Sequence, residues 1–153
     1  MSCIINIYEY FNYRKFLADF YETKKAENRS FSYRSFARRA GFNSSGYYSD
    51  VVNQKRNLSD SLLPKFAKGL DLSIEEARYF EQLVHFDHAS TPEIKQNIFE
   101  KMIALLPLRL QKIKQAQADY FSKWYHVAIR ELLAISNISE NYETLANFLS
   151  PKI

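Results

Sequence analysis

Three glycines and four prolines are all the backbone punctuation in 153 residues. Strand-rich folds turn every few residues and draw on glycine and proline to do so; helices need them mainly at their ends. The chain is therefore expected to be all-α, and the spacing of its apolar residues agrees. Tyr13, Phe16, Leu17, Phe20 and Tyr21 form one stripe of a helix running from Tyr13 to about Ala26, with Asn12 as its cap. Twelve Phe and eleven Tyr supply material for a packed core with polar-tipped edges rather than a disordered chain.

The ends of the later helices are written in capping residues. Ser32 is expected to cap Tyr33–Ala40, with Phe36, Ala37 and Ala40 inward, Arg34, Arg38 and Arg39 outward, and Gly41 at a left-handed terminus. Ser44 then opens a helix from Ser45 to about Asn53, with Tyr48, Val51 and Val52 inward, and QKRNLS forms a turn. Ser59 or Asp60 is expected to cap a helix carrying Leu62, Leu63, Phe66, Ala67 and Leu70, with Pro64 in its first turns. Ser73 and Glu76 have the spacing of a capping box for a helix to about Phe86.

The second half restarts at Ser90–Thr91–Pro92, with Thr91 as cap and Pro92 at the first helical position. Ile94, Ile98, Met102, Leu105 and Leu106 follow at helical spacing as far as Pro107. RLQKIKQAQAD is polar and carries no assignment. Tyr120, Trp124, Val127, Ile129, Leu132 and Leu133 mark another amphipathic helix, and Tyr142 to Leu149 a short last one. Five helices in a domain at 1–88 and a small helical domain at 89–153, joined near His88–Pro92, are the expected organisation.

Charge is placed unevenly. Residues 1–70 hold 12 Lys/Arg and 6 Asp/Glu; residues 71–100 hold 2 and 7; residues 101–153 hold 7 and 4. The positive excess at the start suits a polyanionic partner. One cysteine, Cys3, excludes an internal disulfide framework and fits a reducing compartment. The opening MSCIINIYEYF has no basic start and no long apolar core, so neither a signal peptide nor a membrane span is expected, and the location is expected to be cytoplasmic. His85 and His88 lack a third ligand, so no metal is expected. No phosphate loop, nucleophile elbow or paired-carboxylate pattern points to an enzyme or a cofactor.

The basic half contains SFARRAGFNSSGYYSDVVNQKRNLS at residues 35–59. A helix-turn-helix reader needs a small residue where two short helices approach, a turn residue that accepts an unusual φ, and a second helix whose N-terminal part faces outward. Ala37, Gly41 and the segment from Ser44 onward meet these needs, with Phe42 as a plug between the helices. Ser44 and Ser45 stand where a helix start favours phosphate. Ser45, Tyr47, Ser49, Asp50 and Asn53 are the candidates for base edges, and none is the Arg that most often reads guanine. Arg34, Arg38, Arg39, Lys55 and Arg56 flank the helix and suit phosphate contacts. Double-stranded DNA is the expected partner. A homodimer is expected as well, because one such unit rarely makes enough contact to select a site. A protein–protein adaptor that keeps the fold without binding DNA is the alternative.

NQKRNLSDSLLPKFAKGLDL, residues 53–72, resembles the segment after the recognition helix in repressors of the lambda/Cro (XRE) type. The matching residues are Lys55–Arg56–Asn57, Ser59, Leu62–Leu63 and Phe66 to Leu70. The resemblance spans about residues 32–86, with one residue more than usual between Gly41 and Tyr48. It implies a five-helix lambda-repressor-like domain. More widely, YRKFLADFYETKK, SYRSFARRAGF, KRNLS, Ala77–Arg78–Tyr79–Phe80, FSKWYH, IREL and LSPKI resemble a bacterial family of conserved hypothetical regulators. Its members fuse such a domain to a C-terminal domain of unknown function and continue past an SPKI-like segment into a winged-helix-like unit. The resemblance thus implies a transcription regulator and a dimerising or signal-receiving second half, in a chain that is either a piece of a longer protein or a short paralogue.

Overall fold

The computed structural model describes residues 5–107, 110 and 124–135. Cys3, Tyr120, the expected Tyr142–Leu149 helix and all of RLQKIKQAQAD except Leu110 lie outside them. The described residues are all helical apart from turns. The helices are α1 (Tyr13–Glu27), α2 (Tyr33–Ala40), α3 (Gly46–Val52), α4 (Leu63–Leu70), α5 (Ile74–His88), α6 (Pro92–Ala104) and α7 (Trp124–Ile135). Short 3-10 turns at Ile7–Glu9 and Asp60–Leu62 precede α1 and α4. The chain divides into two compact units, Met1–Val84 and His85–Ile153.

Capping chemistry sets most helix ends. The Asn12 side chain accepts from the Lys15 amide at 2.9 Å. Ser32 and Ser35 form a reciprocal box at the start of α2, and Gly41 ends that helix at φ 76°. Ser73 and Glu76 pair reciprocally, at 2.8 and 3.3 Å, ahead of α5. Thr91 accepts from the Ile94 amide at 3.3 Å with Pro92 behind it.

Two helix starts differ from expectation. Helix α3 begins at Gly46, after a Ser45 with helical backbone and no side-chain cap bond. Ser44 Oγ instead accepts from the Gly46 amide at 3.3 Å. Neither Ser59 nor Asp60 caps α4; the Ser59 hydroxyl meets that of Ser61 at 3.1 Å, and α4 opens at Leu63. Pro64 explains the delay. A helix capped by Asp60 would need an N–H at residue 64 for its first bond, and one capped by Ser59 would need it for its second; proline has none. Starting at Leu63 leaves Pro64 in the first turn, where donors have no helical partner anyway.

In the first unit Phe66 of α4 is wholly buried at the centre of an aromatic core. Its ring lies 5.5 Å from Phe36, 5.8 Å from Tyr48 and 6.5 Å from Phe80, centroid to centroid. Phe16 closes the cluster from α1, 6.2 Å from Phe80. Each such pair adds roughly 0.5–1.5 kcal/mol beyond its area burial. The Tyr48 hydroxyl donates to the Leu17 carbonyl at 2.5 Å, which ties α3 to α1. Tyr79 likewise donates to Tyr10 O at 3.0 Å.

In the second unit Phe86, Ile98, Phe99, Met102, Trp124 and Val127 are buried. Ile98, Met102 and Leu106 are buried as the helical spacing predicts, but the first turn of α6 departs from expectation. Ile94, expected inward, is 48% exposed, whereas Lys95 is only 8% exposed. Lys95 Nζ lies 4.7 Å from the Phe86 ring centre and 4.6 Å from that of Trp124, so two aromatic faces replace part of the water it has lost. The Trp124 amide, an orphan donor at the start of α7, gives its hydrogen to Gln96 Oε1 at 3.3 Å.

Candidate nucleic-acid interface

Helices α2 and α3 are joined by residues 41–45, and the left-handed Gly41 opens the sharp turn. Beneath them, Phe36, Ala37, Ala40, Tyr48 and Val51 are buried. Phe42 is half-buried, 5.3 Å from Phe66 and stacked 5.6 Å from Tyr47. It fills the space between the helices, as the sequence suggests.

The cations expected to face solvent do so. Arg34, Arg38, Arg39, Lys55 and Arg56 are all exposed. Among the described residues, Arg34, Arg38, Arg39 and Lys55 show no side-chain hydrogen bond or ion pair. They do not share one face. At about 100° per residue, Arg34 and Arg38 lie about 40° apart around α2, whereas Arg39 lies about 100° beyond Arg38. Arg39 lines a cavity of about 420 Å³ together with Phe20, Lys24, Glu27, Asp71 and Glu76. That cavity has an apolar floor and a rim of mixed charge.

The residues expected at base edges are less uniform. Ser44, Ser45 and Asn53 are exposed; Tyr47, Ser49 and Asp50 are half-buried. Tyr47 donates to Asn57 O at 3.2 Å, and Arg56 lies 5.8 Å above its ring. Burial raises the Tyr47 hydroxyl's pKa, partly opposed by Arg56. Ser49 accepts from Asn53 Nδ2 at 3.1 Å. Asp50, whose charge alone would repel phosphate, sits 3.5 Å from Arg56 Nε. That pair is largely solvent-exposed and worth little to stability. It does neutralise an acid on the outward side of α3.

Residues 53–57 fold back against α3. Gln54 adopts φ 61°, and the Lys55 and Arg56 amides both donate to Asp50 O, at 2.8 and 3.2 Å. Arg14 of α1, which the sequence reading passed over, reaches into this corner. Its Nη1 donates to Val51 O and, at 3.0 Å, to Arg56 O; its Nη2 donates to Asn57 Oδ1 at 2.7 Å. No local pattern announces these contacts, since they cross 37 to 43 residues of sequence. Lys65, also passed over, lies 5.6 Å from the Phe42 ring centre.

Among the described residues no group of three His, Cys, Asp or Glu side chains gathers to hold a metal, and no helix is long and apolar enough to cross a membrane. Compared with protein-family models, curated proteins and solved structures, the chain matches none.

Proposed function

We propose that the α2–turn–α3 pair is a helix-turn-helix reader of double-stranded DNA, set in a five-helix lambda-repressor-like domain, and that the chain is a cytoplasmic transcription regulator rather than an enzyme. The observation that carries this reading is the distribution of free cations. Arg34 and Arg38 on one side of α2, and Lys55 after α3, are exposed and have no described partner inside the protein. Cations without internal work, placed on both flanks of a short helix, match what phosphate positioning requires. The second unit is proposed to pair two copies, so that two readers engage one site.

The adaptor reading keeps one specific support. The outward side of α3 offers no Arg or Lys, and Tyr47, Ser49 and Asp50 are partly spent on contacts within the protein. Fluorescence anisotropy of a selected duplex and a scrambled one, at two salt concentrations, separates the two. DNA binding predicts affinity that falls steeply with salt and differs between duplexes. Absence of binding to either duplex at low salt would favour the adaptor.

A further inference from the structure

The cationic turn Lys55–Arg56 has no regular structure of its own; α3 holds it through Asp50 and Tyr47, and one side chain from a distant helix braces it from the other side. Arg14 bonds at once the Val51 carbonyl in the last turn of α3, the Arg56 carbonyl and the Asn57 side chain. The planar fork suits this task because its donors diverge in fixed directions, which an ammonium cannot reproduce. It also brings a positive charge to a helix C-terminus, where carbonyls lack helical partners. Arg14 stacks its guanidinium 4.7 Å from the Tyr13 ring centre, and Tyr13 is fully buried, so the fork is anchored from behind.

We infer that Arg14 is a positioning residue for DNA binding: it fixes the 53–57 turn against α3 so that Lys55 and Arg56 are presented together to phosphate. This rests on the helix-turn-helix reading above. Arg14 itself is half-buried and committed to the turn; its effect reaches DNA through the two cations that follow α3.

The test uses the full chain in wild type, Arg14→Gln, Arg14→Lys and the Lys55→Ala/Arg56→Ala pair. Arg14→Lys keeps the charge and loses the fork, which controls for simple electrostatics. Two measurements are made. Hydrogen exchange on free protein should show faster exchange at the Lys55 and Arg56 amides in both Arg14 variants, with the α1 and α4 amides unchanged. Duplex binding against salt should show the slope falling by about 2 in both Arg14 variants, as in the Lys55→Ala/Arg56→Ala pair. Adding Arg14→Lys to that pair should then change the slope no further. Wild type that binds no duplex at low salt overturns the proposed function and this role with it. Wild type that binds, with Arg14→Lys retaining the wild-type slope or unaltered exchange at residues 55 and 56, overturns this role alone.

Discussion

Gly69 of α4 lies directly against Phe36 of α2: a Cβ placed on Gly69 would stand 2.6 Å from Phe36 Cζ and 2.9 Å from Ala40 Cβ. A glycine inside a helix costs roughly 0.5–1 kcal/mol relative to alanine. Here it lets the two helices approach where a methyl group does not fit. Gly69→Ala is therefore expected to destabilise the protein by about 1–3 kcal/mol despite its better helix propensity. Phe36→Leu in the same chain should make room, so the double variant should lose less than the two single losses combined. Urea denaturation of the four proteins measures this. A Gly69→Ala variant as stable as wild type would mean the helices slide apart freely.

Much of the fold was legible because helix ends depend on local chemistry. Ser32 with Gly41, Ser73 with Glu76, and Thr91 with Pro92 each carry a boundary within a few residues of sequence. The failures share a different cause. Periodicity counted Ile94 as core because it is apolar and passed over Lys95 because it is charged. The cage of Phe86 and Trp124 that accepts the lysine is assembled by tertiary packing. At the candidate interface, exposure of the five flanking cations was readable from the phase of α2 and the polarity of the turn. The engagement of Tyr47 and Asp50, and the reach of Arg14, were not. Ser49 meets Asn53 four residues on, a local pair that the helix phase could have suggested; the partners of Tyr47, Asp50 and Arg14 are set by how the turn folds back and by residues some forty positions away.

Lys95 itself gives a sharp expectation. Burial lowers its pKa, an effect that nearby Asp87 partly opposes. Its aliphatic stem is the part that fills space. Lys95→Met keeps that volume, gives up the two cation–π contacts and removes a desolvated charge, so its net effect should be under about 1 kcal/mol. Lys95→Ala deletes the stem and should cost about 2 kcal/mol at roughly 0.8 per buried methylene. Trp124 is the single tryptophan and is 2% exposed, so its emission follows unfolding of this unit. Equal losses in the two variants would show that the charge, not the stem, carries the contribution.

The buried tyrosines set an alkaline limit. Burial raises the pKa of Tyr48 and Tyr79 above the ordinary value of 10.0. Below pH 10 both folded and unfolded chains hold these protons, and no stability difference arises. Above pH 10 the unfolded chain releases them first, so stability should fall as pH rises, by up to about 1.4 kcal/mol per unit for each group. Tyr79→Phe gives up the bond to the Tyr10 carbonyl and should be about 1 kcal/mol less stable at neutral pH. Its stability should then decline less between pH 9 and 11 than that of wild type. Denaturant midpoints at pH 7, 9 and 11 decide this, and parallel declines in the two proteins would refute it.

The last expectation separates two neighbouring arginines that sequence alone treats alike. Arg38 and Arg39 are both exposed and both follow the inward-facing Phe36–Ala37 pair on α2. Helical geometry puts Arg38 with Arg34 and turns Arg39 about 100° away. Arg39 there lines the cavity shared with Lys24, Glu27, Asp71 and Glu76; Lys24 is paired with Glu27, and the remaining acids Asp71 and Glu76 offset the Arg39 charge toward an approaching phosphate. If α2 and α3 dock on DNA as proposed, Arg38→Ala should lower the salt slope of binding by about 1 and weaken selected and scrambled duplexes alike. Arg39→Ala should leave the slope within error of wild type. Both changes remove one positive charge, so long-range attraction falls equally, and only direct phosphate contact distinguishes them. Equal slopes for the two variants would mean that their positions around α2 do not decide which of them meets the DNA backbone.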